Sequence, residues 1–387
     1  MKKLVLVAAT ALTCSGVVCA QSSTVSVYAR VDNGVRTFSG HAGGQSADLY
    51  HSALGGSRWG LNGHHDLGNG MKAGAVLEGT IASDTGGTAS INGYERVFDR
   101  QSFVYLSEEK WGTVKLGRDN TFGLDALFSG ALDVAGLLDA AKTNAVIGSA
   151  YGPNPLTSMY STTRGTRRLD NVVKYTNTKG DFNYGLAYAF GDTNGDVKAG
   201  STQNAILGYK KDKLTTVTTY QITNDPSNKK MDIWNIGGRY NFGKVSGVAA
   251  YHVLNADAGY NPKIVNTPGT AGGTPENEPY FLNVLTGTAN QGKVNVANVG
   301  FAYNFKPQWT YTLSYYNVDQ KEGVKVGKVD SYITHLQYDM NKFVSLYGIV
   351  DYQKAKEGLK TTAAGASGDQ LAFTAGVRVM FDASKSF

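Results

Sequence analysis

From Phe182 to Phe190 the chain reads FNYGLAYAF. Phe182, Tyr184, Leu186, Tyr188 and Phe190 share one parity, and Asn183, Gly185, Ala187 and Ala189 share the other. Successive side chains of a strand point to opposite faces, so the segment has one large apolar face and one small or polar face. The same pattern returns in WTYTLSYYN, where Trp309, Tyr311, Leu313 and Tyr315 oppose Thr310, Thr312, Ser314 and Tyr316. It returns again in NVGFAYNF, where Val299, Phe301, Tyr303 and Phe305 oppose Asn298, Gly300, Ala302 and Asn304. Most such segments run about ten residues, the length a tilted strand needs to cross a bilayer. After the first twenty residues no apolar stretch approaches the ~18 residues of a membrane helix. If the chain crosses a membrane, it crosses as strands.

The alternation marks sixteen candidate strands, at 24–36, 55–67, 71–82, 97–108, 112–120, 168–178, 182–191, 203–212, 214–223, 231–241, 244–254, 295–306, 308–319, 328–339, 342–353 and 370–381. Short links, such as Gly68–Gly70, Glu109–Trp111 and Asp212–Lys213, alternate with long ones at 37–54, 83–96, 121–167, 192–202, 224–230, 255–294, 320–327 and 354–369. Turns on one side of a membrane and loops on the other give this rhythm in an up-and-down barrel. A soluble β-sandwich also alternates, with turns every ~8–12 residues. It does not explain why the non-aromatic face is so often Gly, Ala, Asn, Ser or Thr. A closed sheet in lipid does, with apolar groups toward acyl chains and small polar groups toward water. Eight strands fill their own lumen, whereas about sixteen leave an aqueous channel.

Composition bounds the alternatives. Charged residues make up 18% of the 387 residues, with 48 glycines, 23 tyrosines and 8 prolines, which suits many strands and turns. Lys2, Lys3, the apolar run Leu4–Leu12 and the small residues Val18-Cys19-Ala20 read as a secretory signal at 1–20, with the barrel domain at 21–387. A lipoprotein cut before Cys19 is the alternative, and Val18 is a poor residue for that junction. Both cysteines, Cys14 and Cys19, fall in this leader, so no disulfide framework or thiolate chemistry is expected beyond it. Without Lys2 and Lys3 the chain keeps 35 basic and 31 acidic residues, with no basic run suited to nucleic acid.

Four stretches carry a family likeness: TVSVYARVDNGV after the leader, SRWGLNGHHDLGNGMKAGAVLEG, RVFDRQSFVYLSEEKWGTVKLGR and RLDNVVKYTN. In combination they resemble the trimeric general porins of the Gram-negative outer membrane, most closely the beta-proteobacterial and neisserial branch. The resemblance implies an all-β fold, a 16-stranded antiparallel transmembrane β-barrel with an inward-folded third loop. It implies a homotrimer among outer-membrane lipid and lipopolysaccharide, passing ions and small hydrophilic solutes by passive diffusion, with no cofactor. Family members usually end on an aromatic residue that closes the last strand. Here Asp382–Phe387 follow Phe381, and the last strand is expected to stop near Phe381.

The third long link, 121–167, carries Leu124, Leu127, Phe128, Leu132, Leu137 and Leu138, which is apolar for a free loop, together with Asp125, Asp133 and Asp139. By resemblance it narrows the barrel to an eyelet, and packing on the inner wall accounts for its leucines; an ordinary surface loop with a short helix at 123–140 is the plainer alternative. On the wall, Arg30 is in phase with Tyr28 against Val27, Ala29 and Val31, and Arg58 opposes Trp59 and Leu61. Arg100 shares parity with Ser102 against Phe103 and Tyr105, and Arg168 shares it with Lys174 against Val173 and Tyr175. A charge on the lipid face at mid-membrane costs ~2–4 kcal/mol, so all four are expected to face the lumen. By resemblance Arg30, Arg58, Arg100 and Arg168 match the arginine ladder that faces the acidic loop, which implies a mild anion preference. Loop 83–96 matches the family's latch onto a neighbouring subunit, and its glycines equally suit a flexible surface loop. Link 255–294, rich in Gly, Pro and Asn, is read as a mobile external loop.

Three other classes compete. An outer-membrane enzyme would need a nucleophile with a base, or paired carboxylates, at the rim. His64 and His65 are adjacent in a strand and point apart, and no GxSxG or HExxH pattern occurs. A substrate-specific channel would show an aromatic track along the lumen, which Tyr28 and Tyr316 alone do not make. An adhesin role would draw on the long loops.

Overall fold

The computed structural model describes residues 22–41, 44–88, 90–91, 94–134, 168–258, 260, 292–322, 326–358 and 368–386. Sixteen antiparallel strands close into one barrel. They are β1 (Ser23–His41), β2 in two halves (Gly44–His51 and Arg58–Gly68), β3 (Met71–Thr80), β4 (Gln101–Glu108), β5 (Gly112–Asn120), β6 (Arg168–Lys179), β7 (Phe182–Ala189) and β8 (Thr202–Lys211). The ring continues with β9 (Leu214–Asn224), β10 (Lys230–Asn241), β11 (Val245–Ala256), β12 (Gly292–Lys306), β13 (Trp309–Glu322), β14 (Gly327–Asp339), β15 (Val344–Glu357) and β16 (Asp369–Ser386). Each strand pairs with the next, and β1 pairs with β16 from Thr24↔Ser386 to Phe38↔Ala372, so the ring has no edge. Among the described residues one helix, α1 (Phe122–Phe128), follows β5.

Exposure separates the two faces. Phe182, Tyr184, Leu186 and Phe190 lie on the outside, with Leu186 at 66% exposure, while Ala187 and Ala189 are buried. Val25, Val27 and Val35 of β1, Val299, Phe301 and Tyr303 of β12, and Phe373, Val377 and Phe381 of β16 face out on the same principle. Rings pair across strands on this face, as in Phe182–Tyr209, Trp309–Tyr338 and Tyr315–Tyr332. The inner face is the small and polar one, so the barrel is inverted relative to a soluble protein.

Three expectations are corrected. The link 37–54 is largely strand: β1 runs on to His41 and the first half of β2 returns along it. The last strand does not stop near Phe381 but pairs on to Ser386, because the first residues of β1 offer partners as far as Val25↔Lys385 and Thr24↔Ser386. The phase of β4 is opposite to that read from Phe103 and Tyr105. Val104 and Leu106 face out at 55% and 40% exposure while Phe103 is buried, since QSFVYLSE is apolar on both parities. The strand expected at 55–67 is the second half of β2, and residues 52–57 separate it from the first half. The leader at 1–20, Asp139, Leu137, Leu138 and nearly all of 255–294 lie outside the described residues.

Candidate functional site

The inner wall from β1 to β6 concentrates charge. Arg30 on β1 stands opposite Arg58 on β2 in register, and directly opposed side chains of an antiparallel pair are ~4.5–5.5 Å apart at Cβ. Glu78 of β3 sits between two of the arginines: its carboxylate lies 3.4 Å from Arg58 Nε and 2.6 Å from Arg100 Nε. The Tyr28 hydroxyl donates to the same carboxylate at 2.9 Å. One acid thus orders two guanidiniums and a phenol. Arg100 reaches this group although it precedes β4 and shares parity with outward residues. Its N–H bonds to the Glu78 carbonyl at 3.1 Å, so it belongs to the irregular lead-in and not to the pleat.

Arg168 opens β6 opposite Asn120, beyond a register step between Gly117 and Asp119. Asn171 takes φ of +52° there, so parity counted back from Lys174 does not carry across to Arg168. Its charge still interacts with those of Arg100, Arg118, Asp99 and Glu78. At this step Arg118 pairs with Asp170, which also lies 3.3 Å from Arg96.

The loop carboxylates go elsewhere. Thr121 caps α1 by accepting from Leu124 N at 3.2 Å, and Leu124, Ala126 and Leu127 are buried. Asp125 in the first turn lies 2.6 Å from Lys174 Nζ and accepts from Asn120 Nδ2 at 3.0 Å. Lys174, 1% exposed, also reaches Asp119 at 3.1 Å and sits 4.6 Å over the Phe122 ring. Asp133 is fully buried, accepting from its neighbour Val134 N at 2.8 Å and from the Tyr316 hydroxyl at 2.5 Å. Asp125 is thus paired with a cation, whereas Asp133 is hydrogen-bonded by neutral groups.

Residues 121–134 contact the non-aromatic face of the wall. A Cβ on Gly185 would meet Phe122 at 2.6 Å, and one on Gly300 would meet Val134 at 2.7 Å. Asn298 Nδ2 donates to the Leu132 carbonyl at 3.1 Å. Behind it a buried polar row crosses four strands, β12 to β9: His252 lies 2.9 Å from Asn298 Oδ1 and 2.8 Å from Asn235 Oδ1, and Asn235 donates to Thr219 at 2.9 Å.

Three charged residues were not singled out from the sequence, although their parity gave them away. Glu78 alternates with Leu77 and Gly79, Asp32 shares the phase of Arg30, and Arg378 opposes Val377 and Val379. None of these can face lipid cheaply. Arg378 is in register with Asp32 and donates to Ser345 at 3.1 Å.

A wide closed barrel with a charged inner wall and an apolar belt is the architecture of an outer-membrane pore. The Gram-negative porin family model matches residues 5–358, and the chain belongs to that family. It is 27% identical to an outer membrane porin protein of Bordetella pertussis, over 94% of this chain and 98% of that one. It is 35% identical to outer membrane porin protein 32 of Delftia acidovorans, over 54% of this chain and 55% of that one. Among solved structures, the anion-selective porin from Comamonas acidovorans superposes with a TM-score of 0.70 at 23% identity, covering 93% of this chain and 100% of that one. The trimer form of OmpT from Vibrio cholerae superposes at 0.60 and 12% identity, covering 93% and 99%. The chain is an outer-membrane β-barrel porin.

Proposed function

We propose that the barrel is a passive diffusion channel for ions and small hydrophilic solutes, with a preference for anions set by Arg30, Arg58, Arg100 and Arg168. The observation that carries this is the imbalance of the described walls. Arg30, Arg58, Arg100 and Arg378 crowd the β1–β4 and β16 side with Glu78 and Asp32 as near counter-charges, while Asp125 is paired with Lys174 and Asp133 is held by the Tyr316 hydroxyl. The fold match to a porin described as anion-selective points the same way. Loop 121–167, with Asp125, Asp133 and Asp139, folds inward as the constriction. Solutes cross by diffusion without chemistry, after a leader at 1–20 has been removed. The barrel works as a homotrimer in outer-membrane lipid and lipopolysaccharide, a state supported by the trimeric relative.

The test is a planar-bilayer recording under a salt gradient. The wild-type channel should show discrete conductance steps and an anion-signed reversal potential that shrinks in molar salt, where the Debye length falls to ~3 Å. Replacing both Arg58→Glu and Arg100→Glu should turn the sign toward cations. An unchanged reversal potential in that double variant sinks the arginine assignment. Silence from folded, inserted protein sinks the open channel.

A further inference from the structure

The break in β2 is built too carefully to be a defect. β1 pairs with the first half of β2 as far as Asn33↔His51 and with the second half from Arg30↔Arg58, so the register steps by four residues between them. A bulge ordinarily adds one residue. Here residues 52–57 are all buried, with Ala53 at 1% and Ser57 at 0% exposure. A buried loop must pair its own backbone groups, and this one does so through β1. Ser52 N bonds the Asp32 carbonyl at 2.6 Å. Ser57 Oγ accepts from Asp32 N at 3.0 Å, standing in for the missing ladder partner. The Asp32 carboxylate then accepts from Leu54 N at 3.1 Å and Gly55 N at 2.7 Å. Its other oxygen accepts from the Tyr347 hydroxyl at 2.5 Å. Tyr347 belongs to β15 and reaches β1 by lying across β16 at Gly376, where a Cβ would collide with the phenol oxygen.

The far side of this segment meets the guanidiniums. A Cβ on Gly55 would lie 3.0 Å from Arg30 Nη1, and one on Gly56 would lie 2.9 Å from Arg100 Nη1. Glu78 fixes the Nε end of Arg100, and the two glycines give the Nη1 ends of Arg30 and Arg100 a flat stop. We infer that Ser52–Ser57 is a second, fixed constriction element, in which Asp32 and Tyr347 brace the segment and Gly55 and Gly56 are the positioning residues for Arg30 and Arg100.

Three variants of the full chain test this in planar bilayers. Deleting residues 53–56 removes an even number of residues equal to the register step, so both halves of β2 keep their faces. Its single-channel conductance should rise. Gly56→Ala and Tyr347→Phe change no charge, yet each should lower the anion-to-cation permeability ratio, which a merely structural role would leave alone. The selectivity arm rests on the arginine proposal above, and the conductance arm does not. If Arg58→Glu with Arg100→Glu shifts the reversal potential while Gly56→Ala and Tyr347→Phe insert and match wild type, the strut is overturned and the arginine assignment stands. If the arginine pair is silent while the deletion widens the pore, the strut stands and the selectivity assignment falls. Should the deletion fail to assemble, Tyr347→Phe, which loses one hydroxyl, decides: a wild-type permeability ratio overturns the inference.

Discussion

On the wall from β1 to β6 the inner face is held by ions: Arg58 and Arg100 on Glu78, and Lys174 between Asp119 and Asp125. Across the bore, from β9 to β13, the inner face is held by neutral groups: Thr219, Asn235, His252, Asn298 and Tyr316. Both walls hold residues 121–134, the first through Asp125 and the second through the Leu132 carbonyl and Asp133. The difference lies in what is left over. Ion pairs on the first wall leave cations in surplus, whereas the second wall brings one arginine, Arg239, against Gly130 and holds Asp133 by the neutral Tyr316 hydroxyl. On the proposal above, the arginines clustered on the first wall against a mostly amide-lined second wall are what would make the bore asymmetric toward an anion.

The walls should also break differently. Losing one partner of a buried ion pair costs ~3–5 kcal/mol, because the remaining charge is stranded. Lys174→Met should therefore have the largest effect, about 3 kcal/mol in urea unfolding of the detergent-folded barrel, with noisier conductance as α1 loses its anchor. A loss no larger than that of a surface lysine would show that lumen water solvates Asp119 and Asp125 and that the wall is not held by ions. Glu78→Gln comes next, at about 2 kcal/mol, below the dry-pair figure because Arg58 and Arg100 border the lumen. It should also raise the anion-to-cation permeability ratio, since it removes the acid that offsets two arginines. A fall in that ratio would mean that Glu78 matters more for aiming the guanidiniums than for its charge.

How far this was legible from the sequence follows from the same contrast. The outward face obeys one rule, apolar toward lipid, so FNYGLAYAF and WTYTLSYYN could be placed before any pairing was known. Where both parities are apolar, as in QSFVYLSE, the rule is silent and the phase of β4 came out inverted. The inner face obeys no rule of period. Lys174 meets Asp125 from another strand, and Tyr347 meets Asp32 across almost the whole chain, so neither pairing is written in local spacing. The break in β2 hid for a related reason. HSALGGSR resembles the end of an outer loop, and only its burial beside Asp32 shows that it belongs to the wall.

The neutral wall should yield in smaller steps. Asn298→Ala removes the bond to Leu132 and leaves one face of His252 unpaired, a cost of ~1–3 kcal/mol for buried groups. It should speed proteolysis within 121–167 while leaving the reversal potential unchanged, because no charge moves.

Thr219→Val is the mildest change, about 1 kcal/mol for one hydrogen bond lost at the far end of the row. Its use is in combination. A hydrogen-bonded row links Thr219 to Leu132 through Asn235, His252 and Asn298, so a row acting as one unit couples its two ends. The double variant of Thr219→Val with Asn298→Ala should then cost less than the two singles added, by ~0.5 kcal/mol or more. The first break already releases what the second would break. Strict additivity would mean that each amide is satisfied on its own, and that the neutral wall is a set of separate bonds, as local in its effects as the ion pairs opposite.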